Sequence, residues 1–158
     1  MAHRGSLKFT IDKLKNKSGV GIIDSKTSPK SHHYKILIVD DEPDVTLSLK
    51  TGLEENSFSV DAFNDPRVVL SNFKSAFYDL LLFDIKMPDL NGFQLYQEVK
   101  KKDNNAKVCF MTAYEVYYDK LSEDFPTLDV GCFIKKPIEI QELVKKIRDE
   151  LKIINIKK

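Results

Sequence analysis

Carboxylates follow the apolar runs of this chain at places where a strand has just run out. Asp40, Asp41, Glu42 and Asp44 follow Ile36-Leu37-Ile38-Val39, and Asp84 follows Leu80-Leu81-Leu82-Phe83. Neighbouring carboxylates beyond a buried strand repel one another unless a cation or an ammonium group neutralises them, which argues for a hard divalent ion such as Mg²⁺. The dipole of a following helix would account for Glu42 and Asp44 but not for all the acids of this loop. Two further groups stand at comparable places. Thr112 ends the apolar run 107–111, and Lys135-Lys136-Pro137 follows 129–134. Taken singly, an Asp before a turn, a Thr ending a strand and a Lys before Pro are ordinary structural residues. Their joint occurrence, each at a strand's end, points to one site.

The elements that would carry these groups are legible from period and punctuation. The run 80–83 is too short for a helix and suits a strand buried on both faces. Met87-Pro88 then stops regular structure, and Asn91-Gly92 opens a helix that buries Leu95 and Val99 and ends in Lys100-Lys101-Lys102-Asp103. Upstream, Val45, Leu49 and Leu53 recur at helical spacing over 44–55. Phe58, Val60 and Ala62 alternate over 57–63, and Asp65-Pro66 is a cap followed by proline at the first helical position of 66–75. Tyr114-Glu115-Val116-Tyr117-Tyr118 opens a fourth helix of mixed character. Ile140, Leu143, Val144, Ile147 and Leu151 make 139–153 the clearest helix of the chain. Five strands alternating with five helices predict an α/β domain with a doubly wound parallel sheet, and no stretch is left over for a DNA-binding or other output domain.

Composition narrows the class. The 158 residues carry a net charge of +1, which divides into +5 over residues 1–33 and −4 over 34–158. The first segment, 1–33, is polar, rich in Lys and Ser, and without a sustained period. It reads as a flexible basic extension whose partner the sequence does not specify, before a domain at 34–153 and a short tail at 154–158. No apolar run has the length of a signal peptide core or a membrane span, so a cytoplasmic protein is expected. Cys109 and Cys132 lie inside apolar runs and are expected as buried free thiols in a reducing compartment.

The acid pair Asp40-Asp41, the lone Asp84 with Met87-Pro88 and Asn91-Gly92, Thr112-Ala113 and Lys136-Pro137, in this order over about 34–151, closely resemble the receiver domain of two-component response regulators. The resemblance implies a flavodoxin-like fold, a five-stranded parallel sheet of order 2-1-3-4-5, with the ends of strands 1, 3, 4 and 5 meeting on one edge. It implies that Asp84 accepts a phosphoryl group from a sensor histidine kinase or histidine phosphotransfer protein. Asp41 would bind Mg²⁺ directly and Asp40 through water, with the backbone carbonyl of Lys86 completing the protein's ligands. Thr112 and Lys136 would hold the phosphoryl oxygens, and Phe133 would turn inward as Thr112 moves. It selects Lys136 over Lys135 because the family lysine directly precedes proline, usually in a cis bond. Lys86 and Tyr114 fall where side chains flank the path of hydrolytic water, so they are expected to tune dephosphorylation. The output would be docking to a downstream protein rather than catalysis on a separate substrate.

Other α/β readings fit less well. A haloacid-dehalogenase-like hydrolase needs a second acid two residues beyond its nucleophile, where this chain has Lys86. A flavodoxin needs a hydroxyl-rich phosphate loop after strand 1, where this chain has acids that repel phosphate. A receiver used only as a non-phosphorylated interaction module is the remaining alternative.

Overall fold

Apolar residues alternate between the two faces of each strand, and this alternation dictates the layering. The computed structural model describes residues 32–113 and 132–153. Five parallel strands, β1 (Lys35–Val39), β2 (Ser59–Phe63), β3 (Leu80–Asp84), β4 (Val108–Thr112) and β5 (Phe133–Lys135), pair in the order β2-β1-β3-β4-β5. The described helices are α1 (Pro43–Glu55), α2 (Pro66–Asn72), α3 (Gly92–Lys102) and α4 (Ile140–Glu150). This is the flavodoxin-like sheet the sequence predicts, with four helices among the described residues. The helix expected to begin at Tyr114 falls outside them.

Ile36, Ile38, Leu80, Leu82, Met111 and Ile134 form one core with Leu49 and Leu53 of α1 and Leu143, Val144 and Ile147 of α4. Leu37, Val39, Leu81, Phe83 and Phe110 form the other with Val69 of α2 and Phe93, Leu95 and Val99 of α3. Because β3 is buried along its whole length, it reads as a continuous apolar run rather than an alternating one. α1 and α4 come close together at Gly52, where an added Cβ would stand 2.4 Å from Ile140 Cγ1.

Helix starts follow the expected punctuation. Asp65 caps α2 by accepting from the Arg67 N–H ahead of Pro66. Asn91 and Gln94 form a reciprocal capping box at α3, which satisfies amides that the helix itself leaves unpaired. α2 ends at Asn72 rather than near 75. α4 occupies Ile140–Glu150, inside the broader 139–153, because an apolar period locates a helix's face more sharply than its ends. β5 is Phe133–Lys135, ending one residue past the expected 134; the expected residues 129–131 lie outside the described ones.

One expectation is corrected. Cys109 and Cys132 are not free thiols but a disulfide, with Cα atoms 4.6 Å apart. The register of β4 and β5, Phe110 opposite Phe133, sets the two cysteines side by side across a sequence separation of 23. No helix among the described residues is long and apolar enough to cross a membrane.

Candidate phosphoryl-acceptor site

The parallel register delivers the acids to one edge. Val39 pairs with Phe83, so Asp40 and Asp84 leave adjacent strands at the same level. Asp84 in turn pairs with Met111, which puts Thr112 one residue further along β4. Carboxylate oxygens of Asp40, Asp41 and Asp84 all lie within 4.8 Å of one another. Asp40 and Asp84 are buried and Asp41 is partly exposed, so the cluster opens to solvent on the Asp41 side.

Lys136 reaches into this cluster directly after β5, and its peptide bond to Pro137 is cis. Its Nζ donates to Asp40 Oδ2 at 2.8 Å and to Asp84 Oδ1 at 3.1 Å, and lies 3.4 Å from Glu42 Oε1. Burial pushes the Asp84 carboxyl up to about 6, Asp40 adds repulsion, and Lys136 only partly offsets the two. Burial disfavours the charged form of Lys136, but its hydrogen bond to Asp40 and the charges of Asp40 and Asp84 outweigh that and hold the ammonium well above its ordinary value. Asp84 is thus a desolvated, electron-rich carboxylate beside a fixed cation.

Several residues that position the site carry no sequence signal of their own. Asn64, after β2, donates through Nδ2 to the Asp40 carbonyl at 2.8 Å and to Thr46 Oγ1 at 2.9 Å. Thr46 donates to the Pro43 carbonyl, and the Glu42 N–H donates to Asp40 Oδ1 at 3.0 Å. These bonds fold the acidic loop against the start of α1. The loop after Asp84 is closed by the Gly92 N–H on the Ile85 carbonyl at 2.9 Å. Asp89 in that loop takes a positive φ of 65°, and Arg67 Nη1 lies 3.9 Å from its carboxylate. Asn64 reads as part of the β2–α2 turn, and nothing local marks it as a tie to Asp40.

Lys86 is exposed directly beyond the buried Ile85. Thr112 is partly buried, and its carbonyl accepts the Lys136 N–H at 2.7 Å, which fixes β5 to β4 beside the site. Phe133 is not among the acids. It sits on the α2/α3 face of the sheet, its ring 5.7 Å from that of Phe110. Tyr114 lies outside the described residues.

All the clustered side-chain donors are hard carboxylate oxygens, one of them solvent-facing. That set suits Mg²⁺, which keeps several of its waters, and does not suit a soft metal. A strand-end carboxylate flanked by two more acids and by an ammonium group places a carboxylate oxygen, a hard-cation site and a fixed positive charge together.

Comparison with known proteins shows the family. Residues 36–148 match the model of the response regulator receiver domain, and the chain belongs to that family. It is 33% identical over 119 residues to response regulator ArlR of Staphylococcus epidermidis, covering 74% of this chain and 52% of that protein. It is 32% identical to transcriptional regulatory protein PcoR of Escherichia coli, covering 75% of this chain and 51% of that protein. The chain thus spans about half the length of these curated relatives. Among solved structures it resembles response regulator TrrA of Thermotoga maritima in complex with Mg(2+)-BeF, with a TM-score of 0.64 and 32% identity over 74% of this chain and 98% of that one. A CheY-like receiver domain protein of Methanospirillum hungatei gives a TM-score of 0.64 at 28% identity, over 76% of this chain and 94% of that one.

Proposed function

We propose that Asp84 accepts a phosphoryl group from the phosphohistidine of a sensor kinase or histidine phosphotransfer protein, within a receiver domain spanning 34–153, and that the phosphorylated domain signals by docking to a downstream protein. The observation that carries this is the convergence of Asp40, Asp41 and Asp84 within 4.8 Å, with Lys136 bonded to two of them. A carboxylate oxygen of Asp84 attacks phosphorus as the phosphorus–nitrogen bond of the donor breaks, and the donor imidazole leaves with that electron pair. Asp41 and Asp84, with the Lys86 carbonyl and with Asp40 through water, would hold Mg²⁺, which when bound would supply charge neutralisation for the phosphoryl oxygens. Lys136 exchanges its bond to Asp84 for one to a phosphoryl oxygen, and the Thr112 hydroxyl donates to another. Movement of Thr112, followed by Phe133, carries the change to the surface that the partner reads.

The same assignment makes the protein a phosphoprotein that catalyses only its own phosphotransfer and dephosphorylation. Its place of work is the cytoplasm, where histidine kinases draw on nucleotide, and residues 1–33 and 154–158 are extensions flanking the domain. The test is labelling by a small acyl phosphate in the presence of Mg²⁺. Wild type should take up one phosphoryl group, while Asp84→Asn and Asp41→Ala should take up none. Full labelling of Asp41→Ala in chelator, or of Asp84→Asn, would overturn the assignment.

A further inference from the structure

The Cys109–Cys132 bond lies outside the acid cluster, yet it ties β4, which ends at Thr112, to the residue just before β5, the strand that Lys136 follows. β5 is a three-residue edge strand. Beyond its short ladder it is tied to β4 by the Phe110 N–H on the Cys132 carbonyl at 3.0 Å and the Lys136 N–H on the Thr112 carbonyl at 2.7 Å. A covalent bond just before its start adds to these bonds and to the burial of Ile134 in holding it. Lys136 lies only four positions beyond Cys132, and its Nζ must stay within hydrogen-bond reach of Asp84.

We propose that Cys109 and Cys132 form a reversible oxidation site whose disulfide clamps β5 to β4 and thereby holds Lys136 over Asp84. The phosphoryl-transfer consequence and the reducing compartment rest on the function proposed above; the thiol chemistry itself does not. In a compartment that keeps thiols reduced, a disulfide is conditional and reports an oxidant. Both cysteines sit in the core, and Cys132, just before the edge strand, is the nearer of the two to solvent.

With hydrogen peroxide as oxidant, the Cys132 thiolate attacks one peroxide oxygen and the oxygen–oxygen bond breaks. The departing hydroxide takes up the proton that Cys132 has lost. Glu150, whose carboxylate lies within 4.8 Å of both sulfurs, can carry that proton. The Cys109 sulfur then displaces the oxygen of the resulting sulfenic acid, forming the sulfur–sulfur bond, and the Cys109 proton leaves with that oxygen as water. Two thiols and one peroxide give a disulfide and two waters. A dithiol reductant reverses the bond and is itself oxidised to a disulfide.

The test compares the full chain, reduced by a dithiol, with the same protein reoxidised by stoichiometric peroxide. Peroxide should remove the mass of two hydrogen atoms and block alkylation of both cysteines. Amide exchange at Phe110 and Lys136 should slow by about tenfold in the oxidised form. Acyl-phosphate labelling of Asp84 should run at least about threefold faster in the oxidised form, because Lys136 is then better positioned. The Cys109→Ala/Cys132→Ala variant should label at the reduced rate whether or not peroxide is added. Failure of peroxide to form the bond, or equal exchange and labelling in the two states, would overturn the proposal. So would tight retention of zinc by the reduced chain, which would make the two thiols and Glu150 a metal site. Absence of labelling in both states would count against Asp84 as acceptor, and amide exchange would still decide whether the clamp exists.

Discussion

Gly92 packs against the backbone of Asp84: a Cβ at position 92 would stand 2.3 Å from the Asp84 carbonyl oxygen and 3.0 Å from the Ile85 Cα. Both neighbours are backbone, so neither can swing away, and the loop after β3 can fold over the acid only where there is no side chain. Gly92→Ala should cost about 1–3 kcal/mol by overpacking. It should also reduce phosphoryl labelling of Asp84 in protein that remains folded, measured by denaturant titration and acyl-phosphate uptake on the same sample. Unchanged stability would mean that the loop relaxes freely.

Lys136 neutralises Asp40 and Asp84 through bonds of 2.8 and 3.1 Å. Lys136→Met removes that ammonium and leaves the acids to repel one another, so a divalent cation gains more by entering. Mg²⁺ should bind several-fold more tightly by calorimetry while labelling falls by at least about tenfold, the loss expected when one charge-stabilising donor is removed. Weaker Mg²⁺ binding in this variant would contradict the electrostatic account.

Asn64 supports Asp40 without touching the acids. Asn64→Ala should destabilise the fold by about 1 kcal/mol, the usual net value of a hydrogen bond, and should weaken Mg²⁺ binding by loosening the acidic loop. Asn64→Ser, too short to span both partners, should behave like the alanine variant. Calorimetry with Mg²⁺ on the three proteins checks both statements.

Asp103, at the end of α3, accepts the Ala76 N–H at 2.8 Å and the Asn105 N–H at 3.0 Å. The Ala76 bond is the larger cause holding its carboxyl below the ordinary 3.8. A carboxylate whose folded value is depressed contributes stability that is fully present above the unfolded value and is lost as pH falls through the folded one. The melting-temperature gap between wild type and Asp103→Ala should therefore be constant above about pH 5 and should shrink as pH falls below 3.8. A gap that widens on acidification would reverse the sign argued here.

Lys86 is exposed two positions beyond Asp84, and Tyr114 stands two positions beyond Thr112 in the sequence. Neither offers the amide or carboxylate that orients a water for attack in line with the Asp84 oxygen. Lys86→Asn combined with Tyr114→Glu should speed loss of the phosphoryl group by at least about tenfold, a change of about 1.4 kcal/mol in barrier. Decay of the phosphorylated protein under saturating Mg²⁺ measures it.

Local chemistry made much of this protein readable. Asp40 and Asp84 stand out because a buried parallel strand must be apolar, so an acid directly after it marks the strand's end and the edge where such sheets bind ligands. Asp65-Pro66 and Asn91-Gly92 announce helices because their side chains satisfy amides that the helix leaves open. Alternating strands and helices with right-handed crossovers predict a doubly wound parallel sheet, and the resemblance to the receiver family implies its strand order.

Contacts between distant residues had no local trace. Lys136 bonds to Asp40 across 96 positions and to Asp84 across 52; the following proline marks it by resemblance, but it is the β5 register that physically brings it, rather than the exposed Lys135, into the acids. Cys109 and Cys132 read as two buried thiols because each lies in an apolar run; their union depends on β4 and β5 being neighbours with Phe110 opposite Phe133. Asn64 and Gly92 look like turn residues, and it is the approach of another strand's backbone that makes one a tie and the other a space. Sequence periodicity reports which face of an element is buried, whereas pairing register, set by the packing of the whole sheet, decides which side chains meet across that edge.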